Sequence, residues 1–278
     1  MEQNCSFRRG VTMLNQLKKT IYYHYYRKKN GWFFPPDMAH TAGYQIAMGS
    51  YEPEVTGIVE DLLTEGSIFI DIGANVGYFA RLATEIVGNT GNVVAFEAGH
   101  SNYRALVENS TGRQNIIPLH LAVSNRTGFQ ELHLSSHSSC HSLVNTQNYL
   151  SGTRITMPTI TLDRFWDLYL DRAAIDLVKI DVEGAELMVL DGMNELLAEN
   201  RVRAMIVEYC PRIISNSGVD GRRLYRVLSR NFEISIIEEE FRSLQEGEAL
   251  TSLQAFDRIT RDLTSREEAV NLNLLCSR

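Results

Sequence analysis

The stretch that decides the fold is Phe69-Ile70-Asp71-Ile72-Gly73-Ala74-Asn75-Val76-Gly77. A short apolar run that begins at Ser67 ends on an acid, passes through a glycine turn, and continues into Val76–Val87, whose apolar residues fall at helical spacing. The pattern predicts a strand, a tight turn and a helix. Glycines at such a turn permit positive φ and let a ligand approach the backbone, while free N–H groups at the helix start attract polar or anionic groups. Twenty residues beyond Gly77, Glu97 closes the next apolar run. A carboxylate at the end of that strand can accept both hydroxyls of a ribose.

Outward from this unit the alternation continues. Upstream, Val55, Ile58, Val59, Leu62 and Leu63 predict an amphipathic helix ending at Gly66. Downstream come strand 92–96 with helix 102–109, strand 116–123, strand 175–180 with helix 185–197, strand 202–208 with helix 221–230, and strands 232–237 and 272–276. Buried strands alternating with helices predict an α/β fold: a Rossmann-like, mostly parallel sheet with helices on both faces. One interval breaks the rhythm. Between Ser124 and Leu162 the residues 129–134 and 154–160 suggest an inserted strand pair around a Ser/His-rich loop, 135–142, near the strand ends where ligands bind in such folds.

A nicotinamide or flavin site also uses a glycine turn followed by an acid, but here the G-x-G-x-x-G order is absent. Asn75 stands where a second glycine would let the backbone meet a pyrophosphate, and Asp71 would repel one. The same acid favours a ligand bearing an ammonium and a sulfonium, which S-adenosylmethionine carries. The bland alternative is a strand-to-helix turn with no ligand. A second signal is Leu177-Val-Lys-Ile-Asp181-Val-Glu183-Gly-Ala-Glu186, where a buried strand delivers Asp181 to the sheet edge. Asp181 could equally be an N-cap with the two glutamates in the first helical turn, which capping and dipole both favour.

Together, 69–77, Val94-Ala-Phe-Glu97, Thr161-Leu-Asp163, Lys179-Ile-Asp-Val-Glu-Gly-Ala-Glu186 and Ile206-Val-Glu208 closely resemble the FkbM-type methyltransferases, a branch of the class I S-adenosylmethionine-dependent enzymes. The resemblance covers roughly 51–211 and the final strand, and departs from the family at Ala98-Gly99, where a proline is common. It implies a seven-stranded sheet with the last strand antiparallel, and O-methylation of a hydroxyl on a sugar or secondary metabolite. It places Asp71, Gly73, Asn75 and Gly77 along the methionine part of the cofactor, Glu97 at the ribose, and Ala122, Val123 or Ser124 at the adenine. Asp181 would sit nearest the amino group or the acceptor, and Tyr51 and Glu52 would close over the cofactor.

A hydroxyl is a poor nucleophile, so a base that takes its proton would help. Candidates are Asp181, Glu183, Glu208 and a histidine, His137 or His141. Some related sugar methyltransferases use a divalent cation, and the three carboxylates would suit one, although no spacing demands a metal.

Composition narrows the classes. The chain has 278 residues, 44% hydrophobic and 22% charged, which excludes disorder and collagen-like structure. Its net charge of −7 is the wrong sign for a protein that coats nucleic acid, and no Asn/Asp-Pro-Pro-Tyr/Phe motif of amino-methylating enzymes is present. Both observations speak against a nucleic-acid methyltransferase, which with a non-catalytic cofactor-binding protein makes up the alternatives. Seven basic residues against Glu2 alone give residues 1–30 a charge of +6, leaving −13 for the rest. That segment, with Tyr22-Tyr-His-Tyr-Tyr26 and Trp32-Phe-Phe34, reads as an N-terminal extension (1–50) ahead of a methyltransferase domain (51–278): a lid that stacks on a sugar, a nucleic-acid contact, an interfacial helix, or tyrosines packed on the core or a second subunit. Four scattered cysteines form neither a zinc pattern nor a disulfide framework, and no apolar run has the length of a membrane span or signal peptide, so the expected location is the cytoplasm.

Overall fold

The computed structural model describes residues 30–36, 38, 40–146, 150–242, 249–266 and 270–278. Residues 1–29, which carry the basic residues of the N-terminal extension, lie outside them.

Seven strands form the main sheet in the order β3-β2-β1-β7-β8-β10-β9. They are β1 (Ile68–Ile72), β2 (Asn92–Phe96), β3 (Ile116–Leu119), β7 (Ile175–Ile180), β8 (Val202–Tyr209), β9 (Glu233–Ile236) and β10 (Leu272–Ser277). The pairs β1–β2, β2–β3, β1–β7 and β7–β8 are parallel. Strand β10 runs antiparallel between β8 and β9, with Asn273 opposite Glu208. The start of β10 therefore lies beside the C-terminal ends of the parallel strands.

The period of two along each strand sorts the core into two layers. Phe69, Val93, Leu177 and Ile206 face α2 (Pro53–Leu62) and α3 (Tyr78–Val87) through Val55, Val59, Phe79 and Ala83. The alternate residues Ile70, Val94, Val178 and Met205 face the other helices through Trp166, Leu190, Leu224 and Phe256. Those helices include α5 (Leu162–Tyr169), α6 (Glu186–Asp191), α7 (Asn194–Ala198), α9 (Gly221–Leu228) and α11 (Leu253–Ser265). The remaining helices are α1 (His40–Met48), α4 (His100–Ser110), α8 (Pro211–Asn216) and α10 (Glu239–Arg242). Periodicity did not reveal α1, α5, α8 or α11.

Two predicted elements are split. The run 116–123 forms β3 and then a separate pair, Ala122–Val123 (β4), that leaves the main sheet. Strand β4 pairs with β6 (Leu150–Ile160), which is antiparallel to β5 (Gly128–Ser135), so the inserted strand pair becomes a three-stranded sheet. The predicted helix 185–197 is interrupted at Gly192. Asp163 accounts for the restart, because its carboxylate accepts from the backbone N–H of Glu195 and Leu196 at 3.0 Å each, capping α7 from α5. The Thr161-Leu-Asp163 motif is thus a structural clamp, with the Thr161 hydroxyl capping α5 itself at Arg164 N–H.

Residues 30–50 pack directly on the sheet domain. Trp32, Phe34, Met38, Ile46 and Ala47 share an apolar cluster with Val76 and Ala105, and the Arg81 guanidinium lies 4.4 Å over the Trp32 ring. No helix among the described residues is long and apolar enough to cross a membrane.

Candidate active site

A cavity of about 410 Å³ runs along the C-terminal edge of the sheet. Its position follows from topology, since the strand ends there carry the turns that hold ligands in open parallel sheets. Three of its residues, Glu52, Asn75 and Glu183, have left-handed backbone (φ of 42°, 52° and 54°). Side chains other than glycine are strained in that conformation, and such strain concentrates at functional sites.

The floor is built at the β1 and β7 ends. Gly73 has φ of 84°, and a Cβ there would lie 1.8 Å from the backbone carbonyl oxygen of Asp181. The two main chains touch, so no side chain can be tolerated. Asn75 follows, and its N–H donates to Glu97 Oε2 at 2.8 Å, while Glu97 Oε1 accepts from Gly99 N–H at 2.6 Å. Burial pushes the Glu97 carboxyl up to about 8 against those two bonds. Its exposure is 7%. A polar ligand must therefore supply what water does not.

Beyond Glu97 the walls are apolar. Ala98, Ala122, Leu132 and Leu143 belong to one small cluster, and Leu121 and Val123 line the cavity beside it. Two polar atoms interrupt this wall. Asn102 Oδ1 and Ser138 Oγ, on side chains each 2% exposed, have no hydrogen-bond partner among the described residues, although Asn102 Nδ2 donates to the Ser138 carbonyl at 2.7 Å. Buried orphans of this kind cost free energy unless a ligand satisfies them.

At the β7 and β8 ends, Asp181, Glu183 and Glu208 present carboxylate oxygens all within 4.8 Å of one another. Lys179, 2% exposed and held beneath them, donates from Nζ to Asp181 Oδ2 at 2.8 Å. Burial and the neighbouring Asp181 charge push the Glu183 carboxyl up to about 8 and raise that of Glu208 strongly. Glu208 Oε1 accepts from Asn271 Nδ2 at 2.9 Å across the β8–β10 pair. Asp181 does not cap a helix: α6 begins at Glu186, after a turn in which Glu183 and Gly184 both have positive φ. The turn makes Asp181 and Glu183 cavity walls, while Glu186 stays in the first turn of α6, where its Oε1 accepts from Gly184 N–H at 2.9 Å.

The remaining expectations divide. Tyr51 and Glu52 line the cavity, with the Tyr51 hydroxyl hydrogen-bonded to Glu52. Ala122 and Val123 line it too. Asp71, Gly77 and Ser124 do not. Asp71 lies behind the floor at 1% exposure, in register with Lys179, its carboxyl pushed up to about 7 by burial with Lys179 opposing. Gly77 packs on α4, where a Cβ would meet Leu106 Cδ1 at 2.6 Å. Ser124 is fully buried and its hydroxyl accepts from Gln130 Nε2 at 2.7 Å, inside the insertion.

His141 is in the cavity but at the Glu97 end, with its Cδ2 2.8 Å from where a Gly99 Cβ would stand. Its Nδ1 accepts from Ser135 N–H at 3.0 Å, which places the ring proton of the neutral form on Nε2. That ring is poorly placed and poorly protonated to serve as a base beside the three carboxylates. His137 is exposed and does not line the cavity.

The model of the FkbM methyltransferase domain matches residues 71–240. The chain belongs to the FkbM methyltransferase family. Over 179 residues it is 28% identical to hexuronic acid methyltransferase AglP of Haloferax volcanii, covering 64% of this chain and 68% of that protein. Its fold is similar to an S-adenosylmethionine-dependent O-methyltransferase of Thermotoga maritima (12% identity, 82% of this chain and 65% of that one, TM-score 0.43). It is similar also to fibrillarin of Aeropyrum pernix, solved with S-adenosylmethionine bound (14% identity, 79% and 73%, TM-score 0.41). These likenesses concern the fold.

The FkbM motifs cover both banks of the cavity as far as β8. Sequence reading missed the far end, where Glu238, Asn271 and Asn273 close the cavity. Glu238 accepts from Asn273 Nδ2 at 2.8 Å. No local pattern joins Asn271 to Glu208; only the antiparallel placement of β10 does so.

Proposed function

We propose that this FkbM methyltransferase binds S-adenosylmethionine at the β1–β2 end of the cavity and methylates a hydroxyl of a sugar or glycosylated metabolite at the β7–β8 end. The observation that carries the reading is the single continuous cavity, with a buried carboxyl, Glu97, at one end and a carboxylate triad at the other. The bound cofactor would supply an electrophilic methyl group on a sulfonium. Asn75 and the Gly73 backbone would receive its amino-acid part, Glu97 its ribose, and the Ala98, Ala122 and Leu143 walls its adenine.

Much of the acceleration in such a transfer comes from alignment of the acceptor oxygen with the bond that breaks. The protein then needs a place for the hydroxyl proton. Glu208 and Glu183 are suited to take it, because burial and the Asp181 charge raise the proton affinity of both above that of an ordinary carboxylate. Lys179 holds Asp181 in place through their ion pair. The same three carboxylates form an oxygen donor set of the kind hard divalent cations prefer. A metal-assisted version stands if chelation abolishes turnover and magnesium restores it; full activity in chelator removes it.

The reading is tested by titrating S-adenosylhomocysteine into the protein by calorimetry, then following its release from S-adenosylmethionine with a panel of sugars and glycosides. Absence of cofactor binding at millimolar concentration would end it.

A further inference from the structure

The acceptor end is lined by acidic side chains and by no basic one among the described residues. Glu52, Asp181, Glu183, Glu208 and Glu238 line it, with Asn271 and Asn273 as the neutral polar groups, and no lysine or arginine lines the cavity among the described residues. Lys179, the one fully buried Lys or Arg among the described residues, is already committed to Asp181. An incoming carboxylate or phosphate would leave water without gaining a cationic partner, and a charge buried in that way is costly. Hydroxyls and ammonium groups meet the opposite situation, since carboxylates and side-chain amides accept from them.

From this lining we infer that the acceptor is a neutral or amino-substituted polyol and that anionic sugars, hexuronates and sugar phosphates among them, are excluded. The inference rests on the methyltransferase reading above and deepens it. It separates this chain from what AglP is named for. The carboxylates select by charge, while the pairing of Glu238 with Asn273 and of Glu208 with Asn271 holds two of them in fixed positions at the rim.

The test uses the full chain with S-adenosylmethionine and matched 4-nitrophenyl glycosides that differ only in being neutral, 6-carboxylated or 2-amino, in the gluco, galacto and manno series. It is run both in chelator and with magnesium. In any series that reacts, kcat/KM for the neutral or amino member should exceed that for the uronate at least tenfold under both conditions. Glu238→Gln should raise uronate use at least threefold and so narrow the ratio. Equal or faster turnover of a uronate, in chelator or with magnesium, overturns the inference while leaving the methyltransferase reading intact. Turnover of no glycoside, with S-adenosylhomocysteine still bound in calorimetry, overturns both the sugar reading and this inference.

Discussion

The two ends of the cavity are built in opposite ways. At the donor end, Gly73, Asn75 and Glu97 come from two adjacent parallel strands within 25 residues of sequence, and much of what faces the ligand is backbone. At the acceptor end, Asp181, Glu208 and Asn273 come from three strands spread over more than 90 residues, and what faces the ligand is side chain. The donor end resists substitution because its geometry is main-chain geometry. The acceptor end holds charge in tension, with five carboxyls gathered around one committed ammonium.

The largest effect should come from the backbone junction between them. Gly73→Ala places a methyl where the Asp181 carbonyl oxygen stands. Cofactor affinity should fall more than ~100-fold, with a stability loss of ~3 kcal/mol or more, read by calorimetry and denaturant unfolding. Next, Glu208→Gln should lower kcat by roughly 10²–10⁴ with cofactor Kd unchanged, as loss of a general base does. Glu97→Gln should do the reverse, weakening cofactor binding about 10- to 100-fold with little change in acceptor KM; if both variants moved the same parameter, the division into two ends would collapse.

A weaker but broader effect concerns pH. Burial raises Asp71, Glu186, Glu97 and Glu183 to about 7, 7, 8 and 8, above the ordinary carboxyl range. The folded protein therefore holds more protons than the unfolded chain between about pH 4.5 and 8, and stability falls as pH rises through that window. Thermal unfolding without ligand should show a decline of roughly 5 °C or more from pH 5 to pH 8. A cationic ligand should flatten the slope. The smallest effect is expected at Ser124, where alanine should cost about 1 kcal/mol through the lost Gln130 bond while leaving cofactor affinity alone.

The same contrast explains what the sequence made legible. The glycine turn and Glu97 are close in the chain and carry a spacing that only a few folds use, so the sheet, and the presence of Gly73, Asn75 and Glu97 in the cavity, could be read directly. Asp181 and Glu183 were also found, but their role was ambiguous until the turn at 181–185 showed that no helix starts there. Asp71 and Gly77 were assigned to the ligand because motif residues cluster there, whereas Asp71 shares the β1 face of Phe69, buried at 1% exposure outside the cavity lining, and α4 claims the space at Gly77. Asn273 and Glu238 had no local signature at all. Their place depends on a strand inserted antiparallel between two others, a pairing decided by the whole sheet.

The contact of Gly73 with the Asp181 carbonyl also bears on how new substrates can arise in such an enzyme. Because the two halves of the floor meet main chain to main chain, the span between donor and acceptor is fixed independently of which side chains surround the acceptor. Residues on β8, β10 and the segment after β9 can then vary one at a time, retuning selectivity for the acceptor without relocating the methyl donor.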